Sequence, residues 1–254
     1  MSSANHWKDC PYDYRGAEVL VTGGSNGIGA GIAAAYKAAG ACVTITGTRP
    51  SMTDYDHDFS GYRYHQLQLT NNEQIDAVAA ALPTLDILIN NAGGNFAAED
   101  EYQPDIFDKS VQVNLLSAYR MSLACHKKLA ASQRPGGGAV INLASMTSFF
   151  GVDVVPGYGA AKAGLVQLTK TLSIQWAQDH IRVNAIAAGL IESNMTSQFL
   201  SHEEAVAPSL ARIPMGRFGY PIDIAGPVLF MTSSAAAYVT GQTLPVDGGF
   251  TVMG

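Results

Sequence analysis

Ser145, Tyr158 and Lys162 are the residues from which chemistry can be argued first. The last two stand in YGAAK, residues 158–162, in a chain with only 14% charged residues. At i and i+4 they share one helix face and can point into one site. Reducing a carbonyl requires a proton donor at the oxygen, and the reverse reaction requires a base. A free tyrosine titrates near ~10, too high for an efficient base at neutral pH. A neighbouring ammonium favours the phenolate, so Lys162 is expected to lower the Tyr158 pKa and make it a usable acid/base. Its other donors are free for the ribose hydroxyls of a cofactor. Ser145 follows the apolar run GAVINLA, 138–144, at its carboxyl end, where open parallel sheets place their ligands. Its hydroxyl suits orientation or polarisation of a substrate oxygen. Plainer readings stand beside these: a lysine four residues after a tyrosine is common on helix surfaces, and a serine at a strand end often only caps the next segment.

The elements that must position these groups alternate along the chain. Apolar, β-rich runs at 17–21, 42–46, 85–90, 138–144, 181–187 and 242–246 read as strands. Helical stretches fit at 27–39, 73–82, 104–132, 157–179 and 222–234, with Pro83 marking an end and Pro221 a start. Continuous apolar strands separated by helices predict an α/β chain with a doubly wound parallel sheet covered on both faces. Two segments break the rhythm. Residues 50–63 are polar and short where a crossover helix belongs, and predict an abbreviated loop. Their Asp54, Asp56 and Asp58 open like a calcium loop, but Phe59 replaces the turn glycine and His65 the bidentate glutamate, so no metal is expected. Residues 190–220 lack a clean period and read as a substrate lid.

TGGSNGIG, 22–29, lies between the first strand and the first helix. Gly23, Gly27 and Gly29 permit a tight turn whose exposed N–H groups can face a pyrophosphate. No Lys-Ser/Thr follows, which argues against a nucleotide triphosphate loop. A merely tight strand-to-helix turn is the alternative.

Taken together, TGGSNGIG, NNAG at 90–93, Asn114, Ser145, YGAAK and the closing VDGG at 246–249 resemble the classical short-chain dehydrogenases/reductases, in that family's order and from about Arg15 onward. The resemblance implies a single Rossmann-type domain over residues 1–254, with seven parallel strands in the order 3-2-1-4-5-6-7. It implies a catalytic tetrad of Asn114, Ser145, Tyr158 and Lys162, with Asn114 holding a water beside Lys162 for proton relay. Asn114 could instead simply satisfy buried backbone. The cofactor contacts it implies are Gly23, Ser25, Asn26, Gly27, Ile28, Gly29, Thr48, Arg49, Leu69, Asn91, Ala92, Gly93, Tyr158, Lys162, Gly189, Ile191 and Ser193. Asn91 is also read as a bridge between strands. The second strand ends in Gly47-Thr48-Arg49 without the acid usual in NAD-preferring relatives, and Arg49 can pair with a 2′-phosphate. NADP(H) is therefore favoured, with NAD(H) possible and Arg49 as a mere loop residue the alternative. Ala188 replaces the family's usual proline, which should loosen the start of the substrate loop, and Gln68 replaces an aspartate near the adenine. The family also implies a homotetramer, with the helices at 104–132 and 157–179 at one interface and the C-terminal PVDGGFTVMG at another.

The 254 residues carry a net charge of −6 and no basic stripe, so nucleic acid is not an expected partner. Cys10, Cys42 and Cys125 form neither a disulfide framework nor a metal cluster. With no signal peptide and no membrane-length apolar run, a cytoplasmic protein is expected and a membrane is not an expected partner. Phe149, Phe150, Met195, Phe199, Met215 and Phe218 suggest an apolar small-molecule substrate, with core or subunit contacts as the alternative reading for half of them. The leading function is NAD(P)(H)-dependent interconversion of a secondary alcohol and a ketone. Reduction of a 3-oxoacyl or 2-enoyl thioester is the alternative, because GGNF, 93–96, is similar to the loop of such enzymes. A non-catalytic dinucleotide sensor is the third, against which the matched Tyr, Lys and Ser argue.

Overall fold

A computed structural model describes residues 12–193 and 203–253. The apolar runs become β1 (Glu18–Val21), β2 (Cys42–Gly47), β4 (Ile87–Asn90), β5 (Gly138–Ser145), β6 (Ile181–Ala188) and β7 (Thr243–Val246). A seventh strand, β3 (Arg63–Gln66), was not marked by the apolar pattern. Its RYHQ has no fully buried residue and pairs only with β2 at the sheet edge, so periodicity carries no signal for it. All seven strands are parallel, in the order β3-β2-β1-β4-β5-β6-β7.

The helices are α1 (Gly27–Ala38), α2 (Asn72–Ala81), α3 (Pro104–Val111), α4 (Ser117–Ala130), α5 (Pro156–Trp176), α6 (Glu203–Ala211) and α7 (Pro221–Thr232). Strand alternation sends Val19 and Val21 to one face, against Ile32 and Tyr36 of α1 and Val228 and Leu229 of α7. Leu20 and Leu88 point to the other, against Ile75 of α2, Met121 and Leu129 of α4 and Trp176 of α5. Each fully buried aliphatic side chain contributes roughly 2 kcal/mol, so both faces are held and the carboxyl edge is left to the loops. There β5 and β6, buried throughout, run in register from Gly138↔Ile181 to Ser145↔Ala188. Ser145 is thereby delivered to the sheet's upper edge.

Three differences from the sequence expectations bear on the site. The helix expected over 104–132 is interrupted: between α3 and α4 the backbone widens into a π turn, Gln112–Leu116, that contains Asn114. The 190–220 segment includes α6, which its composition did not suggest, while Met195 and Phe199 lie outside the described residues. Ala188 does not leave a loose turn, because it is the last ladder residue between β5 and β7 and the Gly189 N–H donates to the Val246 carbonyl at 3.0 Å. The connection from β2 to β3 is the short loop expected, with one 3-10 turn, Met52–Asp54, closed by Ser51 and Asp54. Among the described residues no group of three or more His, Cys, Asp or Glu is placed to hold a metal ion. No described helix is long and apolar enough to cross a membrane.

Candidate active site

The glycine turn is built by cross-bracing from β4. Thr22 Oγ1 accepts the Asn91 and Ala92 N–H groups at 3.0 and 3.1 Å, and Asn91 Nδ2 donates to the Thr22 and Gly23 carbonyls at 2.9 and 3.3 Å. Asn91 is thus the strand bridge of its plainer reading. A Cβ on Gly29 would lie 2.3 Å from the Gly23 oxygen, so only glycine lets helix α1 start this close to β1. Asn26 caps α1, and its first turn carries no acidic side chain, which leaves the helix's positive end to an anion. Ser193 faces Gly27 across the crevice: a Cβ on Gly27 would be 3.2 Å from that of Ser193. The glycine turn and the start of the 190–220 segment therefore approach each other closely.

At the end of β2 the Arg49 guanidinium lies 4.8 Å from the Tyr55 ring centre and donates to the Asp54 carbonyl. The Tyr55 hydroxyl accepts the Arg49 N–H at 3.0 Å, and the Tyr64 hydroxyl donates to the Arg49 carbonyl. The Tyr55 and Tyr64 hydroxyls lie 3.4 Å apart, so the short loop is pinned against the end of β2. Gln68 donates to the Thr48 carbonyl at 3.1 Å, while Leu69 packs partly buried against the α2 side of the core. Arg49 is a positioned cation on an exposed rim, and no carboxylate ends β2.

The four tetrad positions converge at the carboxyl edge. Ser145, buried, accepts the Thr147 N–H at 3.2 Å and so caps the following turn, and its hydroxyl is near enough to the Tyr158 phenol to favour the ionised form. Lys162, 4% exposed, donates to the Leu143 carbonyl at 2.7 Å and lies 5.5 Å from the Tyr158 ring centre. Asn114 Nδ2 donates to the Gly94 and Ser110 carbonyls at 2.7 and 2.9 Å, and its Oδ1 accepts the Gly94 N–H at 3.1 Å. A Cβ on Gly93 would come within 2.6 Å of Asn114 Oδ1 and 3.4 Å of Lys162 Nζ, so the backbone of 93–94 runs between them. The π turn is what aims Asn114 at this backbone.

The electrostatics correct one expectation. Burial pushes the Tyr158 phenol above the ordinary tyrosine range; the Ser145 hydroxyl opposes this and the nearby Glu101 carboxylate adds to it. Burial drives Lys162 down to about 8. Burial is the largest influence on both groups, and it moves the tyrosine in the direction opposite to the one expected.

Ile191 bridges Gly219, the Gly219 N–H donates to the Leu190 carbonyl at 2.9 Å, and the Glu192 N–H donates to the Gly219 carbonyl at 2.8 Å. The two ends of the 190–220 segment are stapled together beside a cavity of about 170 Å³ lined by Leu190, Met215 and Val246 among others, and by none of the tetrad. Thr22, Tyr55 and Glu101 had no role in the sequence reading. Thr22 opens the glycine motif itself; Tyr55 and Glu101 carry no spacing signal.

A parallel sheet in this order, with a glycine turn and a Ser–Tyr–Lys cluster at its carboxyl edge, defines a nicotinamide-dependent oxidoreductase, and the chain belongs to the short-chain dehydrogenase/reductase family. The model of the family described as Enoyl-(Acyl carrier protein) reductase matches residues 23–251. The chain is 38% identical over 250 residues to 2-dehydro-3-deoxy-D-gluconate 5-dehydrogenase of Escherichia coli, covering 94% of this chain and 97% of that protein. It is 36% identical to the 3alpha-hydroxysteroid dehydrogenase of Mediterraneibacter gnavus, covering 90% and 94%. The crystal structure of a gluconate 5-dehydrogenase from Burkholderia cenocepacia in complex with NADP and tartrate superposes with a TM-score of 0.85 at 28% identity, over 94% of this chain and 97% of that one.

Proposed function

We propose that the chain oxidises a secondary alcohol to a ketone, and reverses that reaction, with Tyr158 as the general acid/base. The convergence of Ser145, Tyr158 and Lys162 at the carboxyl edge carries this reading: the Lys162 Nζ lies 5.5 Å from the Tyr158 ring centre and the Ser145 hydroxyl is near enough to the phenol to oppose the rise in its pKa, which places a positioning hydroxyl and a proton donor together. The nicotinamide ring of a bound dinucleotide supplies the hydride carrier. The raised pKa keeps the Tyr158 phenol protonated at neutral pH, ready to donate to a carbonyl oxygen; in the oxidative direction it must first lose that proton, so oxidation should speed up as pH rises. Lys162 supports the phenol from beneath and presents donors toward the cofactor ribose. Arg49 receives a 2′-phosphate, which favours NADP(H).

The substrate proposed is a small hydroxy acid. The Phe150 and Phe250 rings stack at 5.5 Å, and the Arg212 guanidinium lies 5.4 and 4.4 Å from their centres. No ion pair engages Arg212 among the described residues. Phe150 follows the 3-10 turn that Ser145 caps, and this apolar wall with one cation suits a carbon chain ending in a carboxylate better than the wholly apolar substrate expected from Phe149, Phe150, Met195, Phe199, Met215 and Phe218; the sugar-acid relatives support it. The thioester reductase remains the second reading, favoured by the matching family's description. One domain with residues 190–220 as its lid, a cytoplasmic setting and a homotetramer are proposed on family grounds. The exposed Leu116, Tyr119 and Leu123, on the π turn and α4, support the assembly.

The test is turnover of hydroxy acids, neutral secondary alcohols and 3-oxoacyl thioesters with NADP(H) and NAD(H), for the parent and Tyr158→Phe. The substitution should lower kcat about 10²–10⁴-fold while dinucleotide binding is retained. Parental turnover by the phenylalanine variant would refute the role of Tyr158, and turnover of thioesters alone would select the second reading.

A further inference from the structure

Glu101 is fully buried, on the segment between β4 and α3, and belongs to none of the motifs. One carboxylate oxygen, Oε1, accepts the Phe96 N–H at 2.8 Å; the other, Oε2, accepts the N–H of Tyr158 itself at 2.7 Å. Helix α5 begins with Pro156, and Val155 offers it no side-chain cap. Glu101 therefore supplies from 57 residues away the acceptor that the helix's first turn lacks. A carboxylate at this end is also favoured by the helix dipole. Gly157 leaves room for it: a Cβ there would be 3.1 Å from Oε2 and 3.0 Å from Ser110. No ion pair engages Glu101 among the described residues, so its charge is met by backbone amides alone. The loop it holds by Phe96 is the same one whose Gly94 is held by Asn114.

We propose that Glu101 is a positioning residue for the reaction: its buried carboxylate locks the first turn of α5 to the 93–96 loop and so fixes where Tyr158 presents its hydroxyl. This rests on Tyr158 being the acid/base. A tyrosine whose helix turn shifts by about an ångström loses the alignment on which proton transfer depends. Its charge also disfavours the phenolate.

Two variants separate positioning from mere stability. Glu101→Gln keeps the size but has one acceptor oxygen for two N–H groups. It should lower kcat about 10- to 100-fold without changing dinucleotide affinity by fluorescence titration, and should move the pH profile of oxidation toward acid. Glu101→Asp keeps the charge on a shorter arm and should lower kcat while leaving the pH profile in place. Parental kcat in the Asp variant, an unmoved profile in the Gln variant, or failure of both to fold would each overturn the proposal; the last would make Glu101 a structural cap. Parental turnover by Tyr158→Phe, measured in parallel, marks failure of the acid/base reading instead.

Discussion

Replacing Lys162 with methionine should make the protein more stable while abolishing its turnover. Lys162 is buried with its Nζ on the Leu143 carbonyl, and no carboxylate compensates it among the ion pairs of the described residues. Burial lowers its pKa from 10.5 to about 8. At 1.36 kcal/mol per pKa unit this is a penalty of roughly 3 kcal/mol on the folded state at neutral pH. Losing the hydrogen bond to Leu143 returns about 1 kcal/mol, leaving the methionine variant ahead by about 2 kcal/mol. The sign follows from proton counting. Between pH 8 and 10.5 the unfolded chain holds more protons on this lysine than the folded one, so the parent gains stability as pH rises through that window and carries the full penalty below it. The variant has no such rise, and its advantage should shrink from pH 7 to pH 10. Urea unfolding of dinucleotide-free protein, at one protein concentration and at several pH values, measures the gap. A variant less stable than the parent at pH 7, by an amount that does not change with pH, would refute the reasoning.

Two further substitutions test other parts of the structure. Arg49→Ala should weaken NADPH binding about 10- to 100-fold and leave NADH binding unchanged; equal losses for both would make Arg49 a loop residue without a reading role. Arg182 is buried and donates to the carbonyls of Gly136, Met231 and Ala236, closing the region where α7 ends. Arg182→Leu leaves those acceptors without a donor and should lower stability by roughly 2–4 kcal/mol, read as a lower urea midpoint; an unchanged midpoint would show that water replaces the guanidinium.

How far the sequence revealed this depended on where each signal lay. The six apolar strands were legible because both sheet faces are covered and the runs are continuous. β3 was not, since RYHQ lies at the edge and its pairing is decided by β2 rather than by its own composition. Ser145, Tyr158 and Lys162 were legible through motif and spacing, yet the direction of the tyrosine's pKa was not, because burial depends on everything packed around it. The π turn at Asn114 left no mark on a helical pattern that continues on both sides. Glu101 and Tyr55 reach their partners across the fold or around a loop, and no local rule of spacing points to such contacts.

The bridge between Ile191 and Gly219 makes the intervening segment a cassette. Its ends are joined by backbone hydrogen bonds, so a change of length between them adds closure entropy only slowly, about 0.6 kcal/mol for each doubling. Ser145, Tyr158 and Lys162 are carried by β5 and α5 and do not depend on that length. Under the proposed lid role, what the enzyme accepts can therefore drift by exchange of the cassette while the proposed proton-transfer residues stay as they are.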